Sequence, residues 1–169
     1  MSMNRHYRPR LKLPMTAWEY LCEAVALAGL VTLVGVVFSA WPSLPESVPS
    51  HFGPDGRADA FGPRGTMLIL PSVGFVLSIV LTIIQLFPHA FNYAFPITPE
   101  NAERQYRIAR IFLCAMKAEI VWLFAYIEWR AVAVAAGDSR GLGAWFLPVF
   151  VTVLILTTAF MFWRSYQER

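Results

Sequence analysis

Three long apolar runs constrain the fold of this chain more than any other feature. Residues 21–40 contain one charged side chain, Glu23, and residues 66–87 and 142–163 contain none. A helix of this length crosses the roughly 30 Å of hydrocarbon in a bilayer. Hydrophobic residues make up 57% of the 169 residues and charged residues only 15%, unlike a soluble domain. The sequence therefore predicts a membrane protein.

A fourth run, residues 108–132, is also apolar, but after Arg110 at its start it contains Lys117, Glu119, Glu128 and Arg130. We interpret it as a fourth span with a polar side. Tryptophans lie near the ends of the runs, where indole rings favour the headgroup region. The predicted fold class is an all-α polytopic membrane protein, with four transmembrane helices arranged as two hairpins.

The distribution of Lys and Arg predicts the orientation in the membrane. With both termini in the cytoplasm, nine of these residues flank the inner ends of the spans and four lie in the outer loops. Positive charge stays on the cytoplasmic side, so we expect a multi-pass protein of the cell membrane with N-in and C-in topology. The first run is too long for a usual secretory signal and is read as a retained anchor.

The chain is expected to have five segments. They are a cytoplasmic basic tail (1–17), a first transmembrane hairpin (18–87) with an extracytoplasmic loop (42–65), a cytoplasmic interfacial linker with the start of the third helix (88–107), a second transmembrane hairpin (108–163) and a cytoplasmic tail (164–169). Thr98-Pro99-Glu100 has the residue types of a helix start, so we expect the third helix to begin there.

Charged residues within the spans are costly unless they pair, snorkel or face a cavity. Lys117 and Glu23 should lie at similar depth, and we interpret them as an intramembrane charge pair that joins the first and third helices. Glu19, one turn before Glu23, could equally meet Lys117 or Arg110. An ion or ligand pathway and simple snorkelling stay open as alternatives. Glu119 has no evident partner.

Arginines near the inner headgroups and small residues in the second span form two further patterns. Arg107 and Arg110 lie near the inner headgroups and are expected to contact lipid phosphates. In the second span, small and polar residues recur on one side, which is typical of close helix packing, although a polar conduit would use the same positions. These residues are Gly74, Ser78, Thr82 and Gln85.

The loop 42–65 is rich in Pro and Gly and predicts an ordered, turn-rich surface. His51, Asp55 and Asp59 recur every four residues, but a metal site needs converging ligands and the prolines and glycines disfavour the helix that would align them. We instead expect Asp55 to make a turn, His51 to bond the loop backbone and Phe52 to pack on the helix ends. No metal and no cofactor is predicted.

Motifs of soluble catalysis are absent from the sequence, including a P-loop, HExxH and GxSxG. Cys22 and Cys114 lie near the inner ends of their spans, which argues against a disulfide scaffold. The net charge of +3 comes mostly from the flanks of the spans, so nucleic acid is not an expected partner. We therefore expect a protein that is not an enzyme.

A family resemblance adds to this interpretation. It rests on Leu44-Pro45, Val48-Pro49-Ser50-His51-Phe52, Gly56 and Asp59, and on Phe91-Asn92-Tyr93, Ile97-Thr98 and the run from Glu100 to Arg107. This succession resembles a bacterial membrane hairpin of a domain-of-unknown-function family, which is shared with the immunity protein against the sporulation-delaying peptide toxin. The resemblance implies four membrane helices and an external histidine loop, and it supplies no catalytic residues.

The functional hypothesis is a non-enzymatic binding, immunity-like or signalling module that presents loop 42–65 to a peptide or a membrane protein from within the lipid bilayer. Two alternatives remain open. One is an accessory subunit of a larger membrane complex or homo-oligomer, and the other is a transporter of small solutes or ions, or a membrane enzyme, that uses Lys117, Glu119 and Glu23.

Overall fold

The computed structural model describes residues 8–169, so residues 1–7 of the expected basic tail lie outside it. Its elements are α1 (Ala17–Ala40), β1 (Ser47–Phe52), β2 (Ala58–Pro63), α2 (Ile69–Gln85), α3 (Ala102–Ala135) and α4 (Phe146–Gln167). Short 3-10 turns occupy Trp41–Ser43, Arg64–Leu68 and Pro88–Ala90.

Within the described residues, three helical segments are long and apolar enough to cross a membrane, namely Ala17–Ser43, Arg64–Gln85 and Phe146–Gln167. The sequence prediction of a mostly helical membrane protein is confirmed at this level. Helix α3 is longer, with 34 residues, which corresponds to about 51 Å of helix. Its ionisable side chains distinguish it from the other three, and its role as a fourth span stays a prediction.

Helix α3 is the centre of the molecule, because it packs against α1, α2 and α4. Glycines let two helix pairs approach closely. A Cβ on Gly29 of α1 would lie 2.8 Å from the side chain of Val121 on α3, and a Cβ on Gly74 of α2 would lie 2.9 Å from Leu33 on α1. Helix α1 begins with a capping box, in which the Thr16 amide donates to the Glu19 carboxylate at 2.7 Å.

The loop 42–65 contains a two-stranded antiparallel sheet, so the all-α prediction was wrong in this part of the chain. Ser47 pairs with Pro63 and Pro49 pairs with Phe61, and the register shifts on either side of His51. The fully buried side chain of Val48 anchors the sheet on the helix ends, where it joins a small core with Val37 and Met67. Strand interiors rarely contain Pro and Gly, which concealed this hairpin in the sequence.

Two helix starts also differ from the expectation. Helix α3 begins at Ala102 and not at Thr98, because Thr98 to Asn101 form a turn in which the Thr98 amide donates to the Asn101 side chain at 2.9 Å. Helix α4 begins at Phe146. Leu142, the first residue of the predicted apolar run, is instead a buried loop residue.

Candidate functional site

Two connections meet at one end of the bundle and form a single structure, which we call the cap. It comprises residues 42–65 and 136–145. The Leu142 amide donates to the Gly56 carbonyl at 2.7 Å, and Arg57 forms an isolated bridge with Gly141. This contact between the two loops was not predicted from the sequence.

Helix α3 fastens the second connection from below. The Arg130 Nε donates to the Gly141 carbonyl at 2.8 Å, and the Tyr126 hydroxyl donates to the Leu142 carbonyl at 2.7 Å. The Arg130 guanidinium also contacts the Ser139 hydroxyl. The sequence predicts Arg130 only as a charge at the outer end of the fourth apolar run. In the structure its guanidinium holds the second connection of the cap to α3.

The tip of the β-hairpin is a tight turn. Asp55, the residue predicted to make this turn, accepts a hydrogen bond from the Arg57 amide at 3.0 Å. The Gly53 amide donates to the Arg57 carbonyl at 2.8 Å, and Gly56 has a φ of 75°, which favours glycine. The turn therefore has a defined backbone conformation.

His51 and Asp59 form a pair across the strands, with 2.6 Å between His51 Nδ1 and Asp59 Oδ1. The expected bond from His51 to the loop backbone was thus wrong, because the partner is a carboxylate of the opposite strand. Gly53 makes room for this arrangement, since a Cβ there would lie 2.9 Å from Asp59 Oδ2. The side chains are 67% and 51% exposed, so most of the surface of the pair is accessible. Phe52 packs against the core beneath the sheet.

A cavity of about 530 Å³ lies between the hairpin tip and the second connection. His51, Phe52 and Pro54 line one side, and Leu142 and Leu147 line the other. It combines an imidazole with apolar side chains. Within residues 8–169, no group of three or more His, Cys, Asp or Glu is placed to hold a metal ion.

A second polar cluster lies inside the bundle. Lys117 Nζ is 2.6 Å from Glu23 Oε2 and 2.7 Å from Glu23 Oε1, and it also donates to the Thr82 hydroxyl at 2.8 Å. Cys114 Sγ contacts Glu23 Oε1 at 3.1 Å. The structure thus brings together the two members of the predicted charge pair and adds one residue from α2. Lys117 is 2% exposed and Glu23 is 29% exposed.

The arginines near the start of α3 have partners within the protein. Arg110 Nε lies 2.8 Å from Glu19 Oε1, and its Nη1 donates to the Leu13 carbonyl at 2.9 Å. Its side chain is 11% exposed, so the expected lipid contact of Arg110 was wrong. Arg107 bonds Glu103 at 3.0 Å and the Pro14 carbonyl at 3.2 Å, and it keeps more exposed surface. Both arginines fasten the segment before α1.

The same end of the bundle contains a cluster of aromatic side chains. The rings of Tyr93 and Tyr106 are 5.7 Å apart, and Arg8 lies over the Tyr93 ring at 5.5 Å. Burial raises the pKa of both phenols above the ordinary value, and Arg8 opposes this shift. The Thr98 hydroxyl lowers the pKa of the nearby Glu100 carboxyl.

Two acidic residues of α3 have environments that the sequence did not indicate. Glu119, for which no partner was evident, accepts a hydrogen bond from the Thr157 hydroxyl of α4 at 2.5 Å. Thr157 was the available signal, since it is a polar residue in an apolar run. Glu128 is 3% exposed, and its Oε2 has no hydrogen-bond partner among the described residues.

Comparison with known proteins gives one family match and one relative, each over part of the chain. Residues 27–75 match the family described as Domain of unknown function (DUF1648). This range contains most of α1, the β-hairpin and the start of α2. An uncharacterized protein of Archaeoglobus fulgidus is 41% identical over 61 residues, which are 36% of this chain and 31% of that protein. The chain thus spans about a third of that relative's length. No solved structure matches the chain significantly.

Proposed function

We propose that this chain is a non-enzymatic protein of the cell membrane, with four spans and both termini in the cytoplasm, that uses its cap to bind a peptide or another membrane protein. The fastening of the cap carries the proposal. The second connection holds the β-hairpin through the Leu142–Gly56 bond, Arg130 of α3 holds the second connection, and Val48 anchors the hairpin in the core. Binding surfaces on loops are effective when a rigid scaffold positions them.

The exposed side chains of the cap suit recognition of a polypeptide. Phe61 is 58% exposed on β2, and the accessible His51–Asp59 pair lies on the same small sheet, next to the cavity of about 530 Å³. An aromatic side chain beside paired polar groups is a common composition at protein interfaces. The family match over residues 27–75 includes the whole hairpin, which supports the cap as the functional part.

Photocrosslinking tests this proposal. A photoreactive amino acid replaces Phe61 in the full chain in native membranes, and the same residue replaces Phe160 of α4, which is 53% exposed, as the control. We expect a discrete polypeptide adduct at position 61 only, which His51→Ala and Asp59→Asn weaken and Glu46→Ala does not. Lack of an adduct specific to position 61, or an adduct that is indifferent to His51→Ala, would contradict recognition through this face.

The resemblance of the hairpin to that of an immunity protein makes a secreted peptide the first ligand class to test, by adding candidate peptides to vesicles that contain the protein.

A second function has one specific observation in its favour. The Lys117–Glu23 pair lies beside a cavity between α1 and α2, as a small-solute or ion pathway would require. Solute or proton flux into vesicles that Lys117→Met abolishes would select that function over the binding module.

A further inference from the structure

Glu128 is a buried acidic residue near the end of α3 that carries the cap. It is 3% exposed. Its Oε2 has no hydrogen-bond partner among residues 8–169, and it takes part in none of the ion pairs of these residues. Buried polar groups generally have partners, so this carboxyl group requires an explanation.

The position of Glu128 on α3 places it beneath the cap. Residues three and four apart share one face of a helix. One turn further along, Ala131 and Val132 pack in the small core beneath the β-hairpin. One turn back, Phe124 faces α2, since a Cβ on Gly74 would lie 3.5 Å from the Phe124 ring. Glu128 therefore lies between the contact with α2 and the core on which the hairpin rests.

The elements around Glu128 provide no opposite charge for it. Residues 24–40 of α1 and the whole of α2 contain no Asp, Glu, Lys, Arg or His. On the hairpin, His51 and Asp59 bond each other, and Arg64 lies over an indole ring of the cap. Arg130 of α3 donates to the second connection. The other ionisable residues of the cap are exposed to solvent, namely Glu46, Asp55, Arg57, Asp138 and Arg140.

An ionised carboxylate would be unfavourable at this position. Transfer of a charged group from water to an apolar interior is costly unless an opposite charge or hydrogen bonds compensate it, and an uncompensated group is neutralised instead. For a carboxyl group, the neutral form carries a proton. In water, by contrast, a glutamate ionises above about pH 4.3. Glu128 can therefore ionise readily only when the cap has moved away and water reaches the carboxyl.

We propose that Glu128 is a proton-binding site that controls the attachment of the cap. The cap packs on the bundle while this carboxyl carries its proton, and separation of the cap from α3 releases the proton to water. Below about pH 4.3 the carboxyl is protonated in both arrangements, so the packing has its full stability there. Above this pH, the separated fraction rises about tenfold per pH unit, until the packed state also loses its proton. This inference concerns how the cap is attached and is independent of what the cap binds.

The test measures how often the cap separates from the bundle. It uses the full chain in detergent, with Cys22→Ala and Cys114→Ala. One protein carries Val48→Cys, at a side chain that is fully buried beneath the hairpin, and another carries Ser50→Cys, at an exposed position of the same strand. The ratio of their reaction rates with a water-soluble thiol reagent reports separation, because the effect of pH on the thiol cancels. We expect this ratio to rise about tenfold per pH unit from about pH 5 to about pH 7.

Glu128→Gln is the decisive variant, because it keeps the side-chain shape and has no proton to release. We expect the ratio in this variant to lose its tenfold rise per pH unit. Glu46→Gln, at an exposed carboxyl group of the cap, is the matched control and should keep it. Circular dichroism and melting confirm that each protein is folded, and Glu128→Met replaces Glu128→Gln if the latter does not fold.

Two results would overturn the proposal. A ratio that is independent of pH in the parent would show that separation of the cap releases no proton, and this result requires no variant at Glu128. An equal rise in the parent and in folded Glu128→Gln would assign the proton to another group, such as His51 in its pair with Asp59.

Discussion

The Leu142 amide donates a 2.7 Å hydrogen bond to the carbonyl oxygen of Gly56. This bond joins residues that lie on either side of α2 and α3 in the sequence, and it makes one cap from two connections. The neighbouring Gly141 packs so closely that a Cβ there would overlap the same carbonyl oxygen. The cap therefore depends on glycine at position 141, where there is no space for even the methyl group of alanine.

Gly141→Ala should open this contact. Overpacking of a closely fitted site typically costs about 1–3 kcal/mol, so we expect lower thermal stability in detergent and faster proteolysis between Gly53 and Arg57. Gly65→Ala is the matched control, because a Cβ at Gly65 has no heavy atom within 4 Å. Equal behaviour of the two variants would show that the cap does not need the close approach.

The charge pair between α1 and α3 predicts strong coupling in a double-mutant cycle. Glu23→Gln or Lys117→Met alone leaves a charge without its partner and should cost about 3 kcal/mol or more. The double variant should lose less than the sum, by at least about 1 kcal/mol. Unfolding in detergent measures the losses of the single and double variants. Arg104→Ala combined with Lys117→Met is the control pair, whose residues are far apart and whose losses should add. Additive losses for Glu23 and Lys117 would rule out the pairing.

Cysteine accessibility tests the orientation. In a Cys22→Ala, Cys114→Ala background, single cysteines at Ser50 and Asp138 should react with an impermeant thiol reagent in intact cells, because both positions lie in the exposed cap. A cysteine at Gln167 should react only after the cells are opened. Labelling of position 167 from outside would reverse the assignment based on the nine-to-four distribution of Lys and Arg.

The tyrosine pair predicts a loss of stability in alkali. The pKa of Tyr93 and that of Tyr106 are raised on folding, so the folded state holds these protons more tightly than the unfolded state. Their contribution is complete below the ordinary phenol value of about 10, and stability falls as the pH rises above it. Melting temperature measured from pH 8 to pH 11 reports this loss, which Tyr106→Phe should reduce.

The same two residues provide a matched comparison at neutral pH. The Tyr106 hydroxyl is buried with no hydrogen-bond partner among the described residues, whereas the Tyr93 hydroxyl donates to the Pro88 carbonyl at 2.8 Å. Tyr106→Phe should therefore be neutral or stabilising, and Tyr93→Phe should cost about 1 kcal/mol. The reverse order would place an unseen partner at Tyr106.

Helix positions could be predicted from the sequence because bilayer thickness and hydropathy fix them within a few residues. The proximity of Lys117 to Glu23 was also predictable, since the sequence predicts similar depths for both in a membrane, where an isolated charge is unfavourable. Residue depth was sufficient information here, and no knowledge of the side-chain rotamers was needed.

Contacts within the cap were not predictable by the same reasoning. The pairing of His51 with Asp59 depends on strand register, and the register depends on an irregularity next to His51 that local sequence does not specify. The contact of Gly56 with Leu142 is between distant segments. Arg110 shows the complementary error. Its predicted depth suggested a lipid contact, whereas the fold brings it to ion-pair distance from Glu19 and lets its Nη1 donate to the Leu13 carbonyl.

The central position of α3 has a consequence for synthesis. Helices α1 and α2 leave the ribosome before α3 exists, yet both pack mainly on α3. Lys117 follows Glu23 by 94 residues, so the Glu23 carboxylate enters the membrane while its cation is still untranslated. Until α3 is synthesised, α1 and α2 therefore form only a loosely packed pair. An insertase or chaperone would protect this pair, with its unpaired Glu23 carboxylate, most during that interval.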